Sequence, residues 1–161
     1  MIPKKVNIYE VGPRDGLQNE TQILPLELKV KFIDMLSKCR FQNIEIGSFV
    51  SPNWVPQMAN SPELINLIEK NPNISYPYLT PNSYGLEKAL ESGIKTVCVF
   101  TTASESFSKK NTNCSVKESL KRIEDIISLA SQAGIKVRGY ISCVLGCPYE
   151  GDIEFEKTTE L

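Results

Sequence analysis

The chain has 161 residues, 41% of them hydrophobic and 23% charged, which suits one folded α/β-sized domain and excludes a disordered segment. Lys and Arg number 18 against 19 Asp and Glu, so the net charge of −1 carries no basic excess for nucleic acid. Apolar runs stay short, so no membrane is expected as a partner, and M-I-P-K-K-V lacks the apolar stretch of a secretory signal, so a cytoplasmic location is expected.

Residues 6–20 read V-N-I-Y-E-V-G-P-R-D-G-L-Q-N-E. Val6, Ile8, Tyr9 and Val11 predict a first strand, ended by the turn signal Gly12-Pro13. Arg14, Asp15 and Gln18 follow in a Gly-bounded, amide-rich loop. Pro25 suits the first turn of a helix, with Leu28, Phe32, Met35 or Leu36, and Cys39 at helical spacing. Residues 43–47, N-I-E-I-G, predict a short buried strand, and 48–60 a long loop. Ser61, Pro62 and Glu63 read as N-cap, first-turn proline and first-turn acid of a helix that runs to about residue 70.

A third strand is expected over 75–79, with Pro77 pointing to weak or edge-like pairing. Pro81-Asn82 leads into a helix with Leu86, Ala89 and Leu90 inward, closed by Gly93. The fourth strand, T-V-C-V-F-T over 96–101, is apolar through its middle, as a strand covered on both faces should be. Residues 102–114 read as a polar loop containing Ser104, Glu105, Ser106 and the pair Lys109-Lys110. Ser115 and Glu118 form a capping box for a long helix with Leu120, Ile123, Ile127 and Ala130 as its stripe and Gly134 at its end. A fifth strand follows over 137–143, then a loop over 145–151 and a last helix capped by Asp152.

Strands alternating with helices predict parallel pairing with right-handed crossovers. No G-x-G-x-x-G or P-loop is present, which disfavours a nucleotide-binding doubly wound sheet. The alternative is a (β/α)8 TIM barrel, of which only about the first five βα units are present, since a whole one takes about 250 residues. The chain therefore reads as the N-terminal portion of a single barrel domain.

The loops that follow the strands would converge at one mouth. There Asp15 and Glu45 are carboxylates able to ligate a hard divalent ion, and Arg14 is a cation able to meet an enolate or a carboxylate. Asp15 also suits a plain polar turn, and Glu45 also suits a structural ion pair with Arg14 or Arg138. The chain has no His, which removes Ser-His-Asp and Cys-His chemistry. Cys39, Cys98, Cys114, Cys143 and Cys147 show no C-x-x-C spacing and read as reduced thiols, with Cys143 and Cys147 as packed ones.

The strings E-V-G-P-R-D-G-L-Q-N-E, I-E-I-G-S-F-V-S-P-N-W-V-P-Q-M-A, Y-L-T-P-N, A-S-E-S-F-S-K-K-N-T-N-C-S and R-G-Y-I-S-C-V-L-G-C-P-Y-E-G resemble the 3-hydroxy-3-methylglutaryl-CoA lyase family along the whole chain. The resemblance implies a TIM barrel using Mg²⁺ or Mn²⁺ that cleaves its acyl-CoA substrate to acetyl-CoA and acetoacetate, in leucine degradation and ketone-body formation. It implies that Asp15 is a metal ligand, that Arg14 binds substrate and stabilises the enolate, that Glu45 is a buried active-site acid, and that Gln18, Ser48, Arg138 and Tyr140 line the mouth. It also implies a homodimer for the full-length family. The family's H-x-H metal ligands, its asparagine and its reactive-cysteine loop do not occur in these residues. The chain alone is therefore expected to be inactive, with a bare edge at its fifth strand and a need for a complementary C-terminal fragment. An assembly module, or a condensing synthase of the isopropylmalate or homocitrate type, are the alternative readings.

Overall fold

The computed structural model describes residues 3–161. The elements in order are β1 (Tyr9–Glu10), α1 (Leu26–Ser37), β2 (Asn43–Ile44), β3 (Gly47–Ser48), α2 (Ser61–Leu67), β4 (Tyr78–Leu79), α3 (Ser83–Glu91), β5 (Thr96–Thr102), α4 (Glu105–Thr112), α5 (Val116–Gln132), β6 (Lys136–Ser142), β7 (Gly146–Cys147), β8 (Gly151–Asp152) and α6 (Phe155–Thr159). β1 pairs with β2, and β3, β4, β5 and β6 lie side by side, all parallel. Because β2 and β3 are consecutive pieces of one strand, the result is an arc of parallel strands in chain order. This is a partial TIM barrel, as expected.

The break between β2 and β3 is a bulge. Asn43 lies opposite Ser75, yet Gly47 lies opposite Tyr78, so one strand advances an extra residue on its partner. Bulges re-aim side chains, and this one sits at Glu45 and Ile46. At Gly47 a Cβ would lie 2.7 Å from the Tyr78 ring and 2.8 Å from Ser61 Oγ, so only glycine fits there.

The core lies between the strands and the helices. Ile33 of α1, Leu64 and Ile65 of α2, Leu86 and Ala89 of α3, and Ile126 and Ala130 of α5 pack on Ile44, Ile46, Tyr78, Val97 and Val99. No helix among the described residues is long and apolar enough to cross a membrane.

Several local expectations are corrected. The first strand shrinks to Tyr9–Glu10, because only those residues find a partner on β2; Val6 and Ile8 are exposed. Pro77 sits fully buried in the middle of the sheet rather than at an edge. Its carbonyl still accepts from Ile46 N (3.1 Å), so only the bond its missing N–H would make is lost. Ser61 is the first residue of α2 and not its cap; Asn60 holds that place, and Ser61 Oγ accepts from Ser48 N at 3.0 Å. That helix ends at Leu67, short of residue 70.

The stripe of α1 is rotated: Leu28, Met35 and Cys39 are exposed, and Lys29 and Ile33 face inward in their place. On α3 Leu86 and Ala89 are buried as expected and only Leu90 is exposed; on α5 Ala130 is buried as expected, while Ile126 faces inward in place of Ile127. Each of these helices carries apolar residues on adjacent rows, and spacing alone cannot say which row meets the sheet. The polar stretch after β5 contains a helix, α4, capped by Ser104 Oγ on Phe107 N (3.0 Å) and ended by left-handed Asn113. Asp152 does not cap the last helix, because it pairs with Gly146 in the antiparallel β7–β8 hairpin. The Ser115–Glu118 capping box is present.

β6 pairs with β5 in continuous register from Thr96↔Lys136 to Thr102↔Ser142. Its other edge has no strand partner among the described residues.

Candidate active site

Arg14 and Asp15 are carried by a single wide turn, Gly12–Gly16. Val11 O accepts from the N–H groups of Arg14 (3.1 Å), Asp15 (2.7 Å) and Gly16 (3.3 Å). Pro13 suits the start of such a turn because its missing N–H has no acceptor to find. Glu10 Oε1 accepts from Gly12 N at 2.6 Å, and a Cβ on residue 12 would lie 2.8 Å from that oxygen. Glycine and proline together fold the chain back at the end of β1 and turn Arg14 inward, where it is 9% exposed.

The centre of the site is Glu45, which is fully buried. Its Oε1 accepts from Arg14 Nε, and its Oε2 accepts from Tyr140 O–H at 2.6 Å. Arg14 Nη1 donates to Asp15 Oδ1 at 2.6 Å, while the Asp15 side chain stays 57% exposed. Residues from the first, second and fifth units thus form one chain of charge-assisted hydrogen bonds. Burial works to lower the Arg14 pKa, but the charge and hydrogen bond of Glu45, then the charge of Asp15, raise it overall. Arg14 is therefore a fixed cation.

Burial first, then the Glu45 hydrogen bond and charge, push the Tyr140 phenol well up. Cys98, on β5, faces the same carboxylate; burial and then Glu45 push its thiol up to about 12. Arg138 lies between two rings, 4.0 Å from the centroids of Tyr9 and Tyr140, and its buried Nη1 has no hydrogen-bond partner in the structure. A buried guanidinium donor without a partner among the described residues marks a place where an acceptor belongs.

The remaining sequence candidates stand further out. The Ser48 hydroxyl is buried and accepts from Val50 N at 3.1 Å, a local turn contact. Gln18 is exposed and borders an open depression of about 300 Å³ with Trp54, Val55 and Ile23. Sequence reasoning missed Tyr9 and Cys98 as members of the site. The signal for Cys98 was present in its alternation with Val97 and Val99 along the strand; the register then sets it directly opposite Arg138.

The family model for HMGL-like proteins matches residues 5–161. The chain belongs to the HMGL-like family. It is 55% identical over 160 residues to the mitochondrial hydroxymethylglutaryl-CoA lyase of Bos taurus, covering 99% of this chain and 49% of that protein. It is 54% identical over 153 residues to the 3-hydroxy-3-isohexenylglutaryl-CoA/hydroxymethylglutaryl-CoA lyase of Pseudomonas aeruginosa, covering 95% of this chain and 51% of that one. The crystal structure of the hydroxymethylglutaryl-CoA lyase from Pseudomonas aeruginosa superposes with a TM-score of 0.93 at 52% identity, over 98% of this chain and 53% of that chain. An HMG-CoA lyase from Acinetobacter baumannii, solved with coenzyme A and 3-methylmalate, matches with a TM-score of 0.91 at 30% identity, over 96% of this chain and 50% of its own. The chain thus spans about half the length of the relatives it matches. These HMGL-like relatives are carbon–carbon lyases, and the Arg14–Glu45–Tyr140 chain lies wholly within the shared half.

A divalent cation is a different matter. Among the described residues no three His, Cys, Asp or Glu side chains come together to hold a metal. Hard cations take about six oxygen ligands, and Asp15 offers one carboxylate. These residues do not by themselves make a metal site.

Proposed function

We propose that this chain forms the enolate-stabilising half of a 3-hydroxy-3-methylglutaryl-CoA lyase, an enzyme that cleaves its substrate to acetyl-CoA and acetoacetate. The observation that carries the reading is the buried Glu45 carboxylate gripping Arg14 and Tyr140 at once. Breaking the C2–C3 bond of the substrate leaves charge on the thioester oxygen of the departing acetyl-CoA. A cation already fixed in place stabilises that charge with no reorganisation at the moment of reaction. Arg14 has spent Nε on Glu45 and one Nη1 hydrogen on Asp15, which leaves further N–H donors for the enolate oxygen.

Glu45 is a positioning residue in this scheme, since both its oxygens are already occupied. Burial and Glu45 push the Tyr140 phenol and the Cys98 thiol up, so neither serves as the base that takes the C3 hydroxyl proton. Arg138, with its unpartnered Nη1, suits the free carboxylate of the substrate. In the assembled barrel Asp15 would give one ligand to Mg²⁺ or Mn²⁺. The unpaired edge of β6 is where the remaining strands of a barrel would add.

The test is reconstitution. The chain is co-produced with the C-terminal half of the Pseudomonas aeruginosa relative, and acetoacetate release is measured. Lyase activity is expected, and Arg14→Gln should lower kcat by about 10²–10³-fold, as loss of an oxyanion donor does. Consumption of acetyl-CoA with a 2-oxo acid and no acetoacetate would show a condensing synthase instead. A well-assembled, inactive complex would show an assembly module.

A further inference from the structure

Lys29, on α1, is a buried charge that the Glu45 network does not use. It is 3% exposed, and among the described residues no carboxylate pairs with it. Burial shifts its ammonium downward, with no neighbouring charge to offset the shift. The acceptor it finds is the backbone carbonyl of Gln57, in the turn Pro56–Met58 of the loop that follows β3. A buried cation with a neutral acceptor costs stability, and an apolar side chain of the same length would pack there without that cost. Stability alone does not account for a lysine at this position.

Gln57 is buried as well, and both ends of its amide are used. Its Oε1 accepts from Leu24 N at 3.0 Å, and its Nε2 donates to Gln22 O at 3.0 Å. Gln22 and Leu24 belong to the loop that follows β1, so one side chain stitches that loop to the loop after β3. Lys29 holds the same glutamine from its backbone side and ties both loops to α1. Between this stitch and the Arg14 turn the chain runs through further turns. Asn19 N donates to Gly16 O (3.2 Å), Glu20 N to Leu17 O (3.0 Å) and Asn19 Nδ2 to Asp15 O (2.9 Å). Residues 18–23 are all exposed, so directional hydrogen bonds, and not packing, set the path of this loop. Glu45 fixes the Arg14 side chain, while Lys29 and Gln57 fix the far end of the loop that begins at the Arg14 backbone.

We propose that Lys29 and Gln57 are positioning residues for the lyase reaction, a latch that holds the Arg14 turn where the enolate oxygen forms. The inference rests on the reading of Arg14 given under the proposed function. The latch touches no reacting atom and acts through the backbone of residues 14–22. Its lysine is retained because a methylene chain could fill the same space but could not grip the Gln57 carbonyl. A small displacement of a catalytic group is costly in rate even when the fold survives it.

The test has two arms. Amide hydrogen exchange, read by NMR on the whole chain, measures whether the latch reaches the Arg14 turn. In Gln57→Met the Leu24 amide loses its acceptor. The amides of Arg14, Asp15 and Gly16, which bond to Val11 O, should then exchange about tenfold faster, while that of Val99 on β5 keeps its rate. Faster exchange at Leu24 alone would overturn the proposal. The second arm uses the chain reconstituted with the C-terminal half of the Pseudomonas aeruginosa relative. Lys29→Met and Gln57→Met should each lower kcat by about 10–10²-fold and leave KM within roughly twofold. Lys29→Met should do so without lowering the urea midpoint, since it removes a buried charge. A kcat that merely follows the folded fraction would also overturn the latch. If the unsubstituted complex releases no acetoacetate, the lyase reading falls, and exchange at residues 14–16 still decides whether the latch holds the turn.

Discussion

Val97, Cys98 and Val99 are consecutive on β5, yet they serve two regions that are built on opposite rules. The valines face the helices and disappear into an apolar cluster with Ile126 and Ala130. Cys98 faces the other way, toward Glu45, Tyr140 and Arg138. On the helix side any well-shaped apolar group gains by leaving water, by about 25 cal/mol per Å². On the inner side each group depends on a named partner, because a buried charge without one is costly. The helix side holds the arc together and the inner side does not. A buried ion pair is often no more stabilising than the apolar residues that would fill its place. Its value is that Arg14 is held still.

This contrast is tested hardest at Glu45. Glu45→Ala leaves the Arg14 cation and the Tyr140 hydroxyl facing a void, and should cost about 3–5 kcal/mol, read as a fall in the urea midpoint. Replacing both Arg14 and Glu45 by methionine should recover most of that loss while abolishing enolate stabilisation in the reconstituted enzyme. If the double variant is no more stable than Glu45→Ala, the inner side is a stability element after all and the contrast fails.

On the helix side, Ile126→Ala should cost about 3 kcal/mol, the lost transfer energy plus a cavity. Ile126→Val should cost only about 1 kcal/mol. In the reconstituted enzyme both should leave kcat unchanged apart from any loss of folded protein. A change in KM or kcat at constant folded fraction would show that the two sides of the sheet are coupled.

The two sides also differed in how far the sequence revealed them. The β-α alternation was legible because each strand is apolar and each helix is capped, with Ser115 and Glu118 as the clearest case. That Arg14, Asp15, Glu45 and Tyr140 would come together was legible, because polar groups inside a buried strand, or just past its end, must find partners at the mouth. The rotation of α1 was not legible: Leu28 and Ile33 are equally apolar, and the choice between them is made by the sheet. The bulge at Glu45 was hidden too, because a shift in register belongs to two strands and not to either one. Tyr9 looked like a β-former, and its place against Arg138 depends on β6, which lies far along the chain.

The smallest effect expected is at the edge of the network, and it carries a pH signature. Tyr140→Phe removes the donor to Glu45 Oε2 and keeps the ring that stacks on Arg138, so the loss should be about 1.5 kcal/mol at neutral pH. An unfolded tyrosine titrates near about 10, and in the folded chain burial and Glu45 raise the Tyr140 phenol above that value. Below about pH 10 the phenol is protonated in both states and its stabilisation is complete. As the pH rises further the unfolded chain releases the proton while the folded chain keeps it, so the folded state binds more protons and stability falls. Tyr78, raised by burial, adds to that fall in both proteins and cancels from their difference. Urea midpoints of the native chain and of Tyr140→Phe should therefore stay a constant distance apart up to about pH 9 and converge above about pH 10. A gap that stays constant or widens through that range would mean that Tyr140 does not hold its proton for Glu45, and that the chain from Arg14 through Glu45 ends one residue sooner.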